Sequence, residues 1–263
     1  MGTDPDLKRY ELFGWDYETV NALTDAEVRW HEMWARRTGG PLLGLACGTG
    51  RLLCRLAEAG FEVVGIDLSE TMLRIARRNV ARLRTAARRR IRLVKLNMTD
   101  FELGRRFGLI FIADNSFRDQ KTRKDLLSCL RCIRGHLKPN GKLLITERRF
   151  DPLLYPDGRR SFGWSEPRPR PVTGELVSRR GEICLSKDRK RVRGTFFYKT
   201  VHADGSETIE ECPWSAPILS TQEYIRLFTR AGFDTQTFVG YKEISDDGKD
   251  PILCFVCAPK GNP

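Results

Sequence analysis

The chain has 263 residues, 40% of them hydrophobic and 30% charged, a composition that supports one substantial core and excludes a disordered or fibrous protein. Its formal charge of +12 admits a polyanionic partner without requiring one. No apolar run approaches the roughly eighteen residues of a membrane span, and MGTDPDLKRYELFGWD has charges where a signal peptide needs an apolar centre, so a cytoplasmic protein with no membrane role is expected.

Residues 16–38 have helical periodicity, with Trp30 and Trp34 on one face, and end at Gly39-Gly40-Pro41. Short apolar runs then alternate with amphipathic helices. PLLGLA, FEVVGID, IRLVKLN, FGLIFIAD and GKLLITE read as strands. GRLLCRLAEAG, the long SETMLRIARRNVARLRTAARR and KTRKDLLSCLRCIRGHL read as helices between them, with Lys138-Pro139-Asn140-Gly141 as a turn before the fifth strand. Strand and helix in alternation predict an α/β fold with a doubly wound, mostly parallel sheet.

From 151 to 174 proline and glycine predict a surface loop. Antiparallel strands follow, turning at Ala203-Asp204-Gly205-Ser206. The alternation resumes at STQEYIRLFTRAGF, a helix capped by Ser220 or Thr221 with Glu223 in its first turn, and closes with TQTFVGYKEI and PILCFVCAP. The expected organisation is a helical leader or lid (1–40), a nucleotide-binding core (41–150), an inserted loop with antiparallel strands (151–219), and a last helix with a β-hairpin (220–263).

Two cysteine pairs, Cys129/Cys132 and Cys254/Cys257, have metal-ligand spacing. The second lies in PILCFVC, a strand, where residues three apart face opposite sides, so buried thiols rather than a metal are expected. The arginines of RIARRNVARLRTAARRRIRL (74–93) supply much of the positive charge; helical spacing makes them a solvated face first and a nucleic-acid surface second.

The chemistry centres on LLGLACGTG, residues 42–50. Open parallel sheets bind ligands beyond the carboxyl ends of their strands, and the small residues Ala46-Cys47-Gly48-Thr49-Gly50 let the backbone approach a ligand at a helix N-terminus. Asp67, at the end of the second strand, suits a ribose diol. Leu53 stands where a dinucleotide fingerprint needs its third glycine, and no Gly-Lys-Ser or Gly-Lys-Thr phosphate loop is present. A nucleoside without a pyrophosphate is the ligand these residues point to.

LACGTGRLLCRLAEAGFEVVGIDLSETMLRIAR resembles the signature of class I S-adenosylmethionine-dependent methyltransferases, over roughly 40–150 and again over 220–259. DNSF (114–117) and ITERRFDPLL (145–154) are similar to stretches of the glycine and sarcosine N-methyltransferase branch, which also carries extra strands after strand five. The resemblance implies a seven-stranded Rossmann-like fold, S-adenosylmethionine as cofactor and S-adenosylhomocysteine as product. It places Ala46, Cys47, Gly48 and Gly50 under the methionine moiety, Asp67 with Leu68 and Met72 at the ribose, Asn97 and Met98 at the adenine, and Ala113 beside the methionine. For the acceptor it implies Asn115 in the pocket and Arg148 on a carboxylate; Tyr10 and Trp164 are further candidates to line it. No base is assigned. Tyr17, Asp114 and Asn115 are the catalytic candidates, with Glu147 also in reach.

Two departures stand out. The family usually carries an acid where this chain has Gly44, which helps organise the site around the cofactor's ammonium group; the branch also carries a leader arginine near Thr24 that holds the cofactor carboxylate, which Arg36, Arg37 or Arg51 would have to replace. The expected activity is methylation of a small molecule, an amine bearing a carboxylate, with a nucleic-acid methyltransferase or a non-catalytic nucleoside-binding domain as alternatives. No metal is expected, and a homo-oligomer is left open.

Overall fold

The structure, a computed structural model, describes residues 5–120, 122–151, 154–170, 173–243 and 250–261. In chain order the helices are α1 (Pro5–Phe13), α2 (Tyr17–Val20), α3 (Asp25–Thr38), α4 (Arg51–Glu58), α5 (Glu70–Ala81), α6 (Thr85–Arg88), α7 (Arg123–His136) and α8 (Thr221–Arg230). The strands are β1 (Leu42–Leu45), β2 (Val63–Asp67), β3 (Ile91–Lys95), β4 (Phe107–Ile112), β5 (Leu137–Arg148), β6 (Arg159–Phe162), β7 (Arg168–Pro169), β8 (Leu176–Leu185), β9 (Arg191–Val201), β10 (Glu207–Pro217), β11 (Phe233–Val239) and β12 (Ile252–Pro259). Two compact units emerge: one runs from Asn21 to Arg149 and resumes at Leu219, and the other joins the segment ending at Val20 to Phe150–Ile218. The leader is therefore divided, its first part belonging with the inserted strands and α3 with the core.

The larger unit holds a seven-stranded sheet in the order β11-β12-β5-β4-β1-β2-β3. β1 to β5 run parallel, and β12 enters antiparallel to both β5 and β11. Its two faces are both apolar, as a doubly wound sheet requires. Leu43, Ile66, Ile110, Ile145 and Phe255 pack under α7 and α8, while Leu42, Val63, Leu109, Phe111 and Val256 pack under α3 and α4. Cys254 and Cys257 fall in these two opposite layers, so the strand holds them apart. Among the described residues no helix is long and apolar enough to cross a membrane.

Three local differences from the sequence reading have physical causes. The leader does not form one helix over 16–38: Thr24 caps α3 by accepting from the Glu27 amide at 3.2 Å, which restarts the helix after a break. The long basic helix stops at Ala81 and resumes briefly as α6, with β3 beginning at Ile91. Residues 138–141 form no free turn. They lie within β5, where the pairing with β4 shifts register between Phe107 and Leu109, so the extra residues are taken up as a bulge.

The smaller unit is an antiparallel sheet in the order β10-β9-β8-β6, with β7 also paired to β8. The stretch 151–174, expected as loop, thus contains two short strands, because Phe162 and its neighbours pair with residues 181–184. The turn at 203–206 is as expected, closed by the His202 amide on the Ser206 carbonyl at 2.9 Å with Gly205 at φ +83°. One small core gathers Val177, Tyr198 and Cys212 with Leu12 and Trp15 from the N-terminal segment. Phe196 stacks on Trp214 with centroids 5.9 Å apart.

Candidate functional site

The strand order reverses between β1 and β4, and the loops leaving these two strands define the crevice where such sheets hold ligands. The turn after β1 is sharp: Ala46, Gly48 and Gly50 have φ of +48°, +55° and +74°. A Cβ on Gly50 would stand 3.1 Å from the Ala76 Cβ, so α4 and α5 approach over this glycine. Asn79 on α5 fixes the turn by donating to the Thr49 carbonyl at 3.0 Å.

Asp67 ends β2 and ties this turn to the next helix. Its Oδ2 accepts from the Gly48 amide at 2.7 Å and its Oδ1 from the Ser69 amide at 2.8 Å. Burial pushes the carboxyl upward from its ordinary range, and the amides of Ser69, Gly48 and Leu68 oppose that shift. A carboxylate offers about four acceptor sites, so these amides do not exhaust its capacity to accept from a ribose hydroxyl. Ser69 caps α5 on the Met72 amide, Met72 and Met98 are buried, and Leu68 is exposed. Asn97 accepts through Oδ1 from both the Thr99 amide (3.0 Å) and hydroxyl (2.9 Å), so its carboxamide is held after β3.

The loop after β4 is sewn to the end of β5. Asp114 and Asn115 have φ of +57° and +66°, the left-handed region that Asp and Asn enter more readily than other non-glycine residues. Here the Asp114 amide donates to Thr146 Oγ1 at 3.3 Å, the Asn115 amide to the Thr146 carbonyl at 3.2 Å, and the Arg148 amide to Asn115 Oδ1 at 2.5 Å. Across the crevice, Arg51 at the start of α4 pairs with Asp114 at 3.0 Å, both largely shielded. Arg36 lies over the Phe61 ring and Arg37 pairs with Glu243, so Arg51 is the one of the three arginines at the turn.

Glu147 is in reach as a base by its place in the chain, but its surroundings give it another task. It is 1% exposed, accepts from the Arg118 amide at 3.2 Å, and has the Arg118 Nε 3.6 Å away. Burial pushes its carboxyl up to about 8, against the pull of Arg118. A folded-state value above the unfolded one means that the native protein binds more protons between about 4.5 and 8, so this group's contribution to stability falls as pH rises through that window. The expected result is that Glu147→Gln flattens the decline of the thermal midpoint across this range, measured by calorimetry against the parent at matched ionic strength. A decline of unchanged slope would dissociate it from Glu147.

Of the remaining sequence candidates, Ala113 lies partly buried between β4 and this loop, and Arg148 is exposed at the end of β5. Tyr10, Tyr17 and Trp164 belong to the smaller unit, where the two tyrosine rings lie 6.3 Å apart and Trp164 sits beside Arg180 and Lys199. The three histidines serve the framework. His31 is wholly buried, donates to the Glu27 carbonyl at 2.8 Å, and is driven by burial down to about 4. His136 bonds the Cys132 carbonyl and the Leu103 amide, and His202 bonds Glu175 and Thr208.

Sequence reasoning missed two residues at the crevice. Glu27, 6% exposed, feels the charges of Arg51 and Asp114. Tyr241, at φ +59°, hydrogen-bonds Thr146 and is coupled to Glu27 and Asp114, with its hydroxyl raised by burial. Neither belongs to a local motif. Only the folded sheet brings residues 27, 114 and 241 together.

These features fit a nucleoside cofactor carrying an amino-acid tail: a backbone turn of small residues with two glycines, an acid at the β2 end, and both signs of charge beside them. Residues 42–141 match the model of the methyltransferase domain family. Over 86% of this chain and 81% of the relative, 30% of residues are identical to the dTDP-3-amino-3,6-dideoxy-alpha-D-glucopyranose N,N-dimethyltransferase of Streptomyces fradiae. A glycine/sarcosine N-methyltransferase of Halorhodospira halochloris is 31% identical over 55% of this chain and 52% of its own. A Bacillus subtilis relative is 38% identical, but the match spans 40% of this chain and 41% of that one. The crystal structure of an S-adenosylmethionine-dependent methyltransferase from Clostridium acetobutylicum superposes with a TM-score of 0.74 at 16% identity, over 96% of this chain and 99% of that one. The chain belongs to the class I S-adenosylmethionine-dependent methyltransferases, with S-adenosylmethionine as the methyl donor.

Proposed function

We propose that this enzyme methylates an amine nitrogen of a small molecule that also carries an anionic group. The observation that carries this reading is the near full-length similarity to an N,N-dimethyltransferase of an amino-sugar nucleotide, joined by the partial similarity to a glycine/sarcosine enzyme. Both relatives are named for nitrogen acceptors, one in a diphosphate-linked sugar and one in an amino acid.

When bound, the sulfonium supplies a methyl group and leaves as a neutral thioether, so the protein's work is to orient the acceptor, exclude water and receive a proton. Asp67 would hold the ribose. The turn from Ala46 to Gly50 and Ala113 would receive the methionine moiety, and Asn97 and Met98 would flank the adenine. The fixed loop at Asp114 and Asn115 presents the acceptor side. An ammonium must lose its proton before it attacks, and of the carboxylates at the crevice we assign this step to Asp114, in the loop after β4 and next to Arg51.

Arg148 is the group proposed to grip the acceptor's anion. It is exposed at the β5 end, and its backbone is locked to Asn115. Glu147, which could have neutralised it, is engaged with Arg118 instead. The expected result is that Arg148→Ala raises KM by about tenfold or more for the anionic acceptor, the range of a lost charged hydrogen-bond partner, with little change for its uncharged analogue. Release of S-adenosylhomocysteine over a panel of amino acids and amino-sugar nucleotides identifies the acceptor. Equal losses on charged and uncharged acceptors would move Arg148 out of the substrate site.

The second reading, a nucleic-acid acceptor, rests on exposed arginines of α5, α6 and their C-caps, among them Arg74, Arg78, Arg82, Arg88 and Arg89. It requires turnover on oligonucleotides that falls steeply with salt. Turnover confined to small amines and insensitive to salt excludes it.

A further inference from the structure

We infer that Glu27, on the helix before the first strand, supplies the carboxylate for the ammonium group of the cofactor's methionine moiety, taking the place of the acid missing at Gly44. The inference rests on the cofactor lying over the glycine turn, and does not depend on the acceptor. Gly44 cannot be answered from its own strand, because β1 offers only apolar side chains: Leu42, Leu43 and Leu45, all buried. The carboxylate must therefore come from another element. α3 packs over this end of the sheet through Val28, Trp30 and Trp34, and Glu27 leads its buried stripe.

The charges around Glu27 are those of the crevice. Arg51, at the start of α4, and Asp114, from the loop after β4, are its charged neighbours, and Tyr241, just after β11, and Cys254, on β12, lie close enough to feel its charge. Glu27, Arg51 and Asp114 form a set of one base and two acids. With Glu27 ionised the set carries one net negative charge, which complements a ligand bearing an ammonium, a sulfonium and a single carboxylate. Arg51, paired with Asp114, is the cation of this set. A buried carboxyl without such a ligand tends to keep its proton, and burial lifts Glu27 to about 7. An ammonium placed against it reverses the balance and expels the proton.

A capping role alone makes a different prediction. Glu27 stands three residues after Thr24 and takes a hydrogen bond from the Thr24 backbone, a part that glutamine plays as well as glutamate. The test is calorimetric titration of the full chain with S-adenosylmethionine, S-adenosylhomocysteine and 5′-methylthioadenosine, which lacks the amino-acid tail, at pH 7 in buffers of differing ionisation enthalpy. The wild type is expected to release about half a proton with either full ligand and none with methylthioadenosine. Glu27→Gln is expected to abolish that release and to weaken both full ligands about tenfold or more, leaving methylthioadenosine within about twofold. Unchanged affinities, equal losses on all three ligands, or proton release persisting in Glu27→Gln would each overturn the inference. Should that variant not fold, the wild-type comparison decides: proton release equal for methylthioadenosine and S-adenosylhomocysteine rejects Glu27. Failure of methylthioadenosine to bind the wild type would reject the placement of the nucleoside at Asp67 instead, and the inference with it.

Discussion

Asp67→Ala is expected to weaken S-adenosylmethionine by about 1.5–3 kcal/mol, the range for losing a charged hydrogen-bond partner. Asp67 combines a proposed role with an observed one. In the proposed site it accepts from the ribose, and in the structure it ties the Gly48 and Ser69 amides at 2.7 and 2.8 Å. The alanine variant therefore loses the turn's anchor as well as the contact. Asp67→Asn separates the two roles: its single side-chain oxygen can hold one of the amides, but it brings no charge to the diol. The expected order of affinity is wild type, then Asn, then Ala, measured by calorimetry, with the thermal midpoint reporting damage to the turn. If Asp67→Ala binds with unchanged affinity, the ribose lies elsewhere and the assignment of the crevice must be redrawn.

Asp67 is legible in the chain alone because its signal is local: an acid closing an apolar strand, a fixed distance after a glycine turn. The parallel sheet is legible for the same reason, since apolar runs and amphipathic helices alternate from 42 to 148. What escapes depends on distant partners. Residues 138–141 have the character of a turn, yet pairing with β4 absorbs them as a bulge. β6 has no alternating pattern of its own and exists through its pairing with β8. Glu27 reads as one more charge on a charged helix, and only the packing of α3 over the sheet buries it. Asn115 is legible as part of DNSF, but its tie to the Arg148 backbone is not, because strand ends 33 residues apart meet only in the fold.

Gly44→Asp, which places an acid where the resemblance implies one, is expected to destabilise the protein by about 3 kcal/mol or more rather than to rebuild the site. Gly44 faces Gly65 across β1 and β2, and the Leu53 side chain of α4 fills the space above both. A Cβ at Gly44 would come within 2.8 Å of Leu53 Cδ2 and 2.9 Å of Phe111 Cζ, and one at Gly65 within 2.3 Å of Leu53 Cδ1. Dinucleotide-binding folds bring helix and sheet together with a glycine on the helix at this position. Here the glycines are on the sheet and a leucine comes down from the helix. An aspartate at Gly44 thus meets two penalties, overpacking of about 1–3 kcal/mol and burial of a carboxylate away from water. The thermal midpoint should fall by roughly 6 °C or more for a chain of this size. Leu53→Ala, destabilising by itself through the cavity it opens, should cost less in the Gly44→Asp background, because it vacates the space the new side chain needs. A double-mutant cycle by thermal and denaturant unfolding measures this coupling. Strict additivity of the two changes, or a Gly44→Asp protein as stable as the parent, would mean that Leu53 does not explain the glycine, and the loss of the acid would need a cause outside the packing of α4.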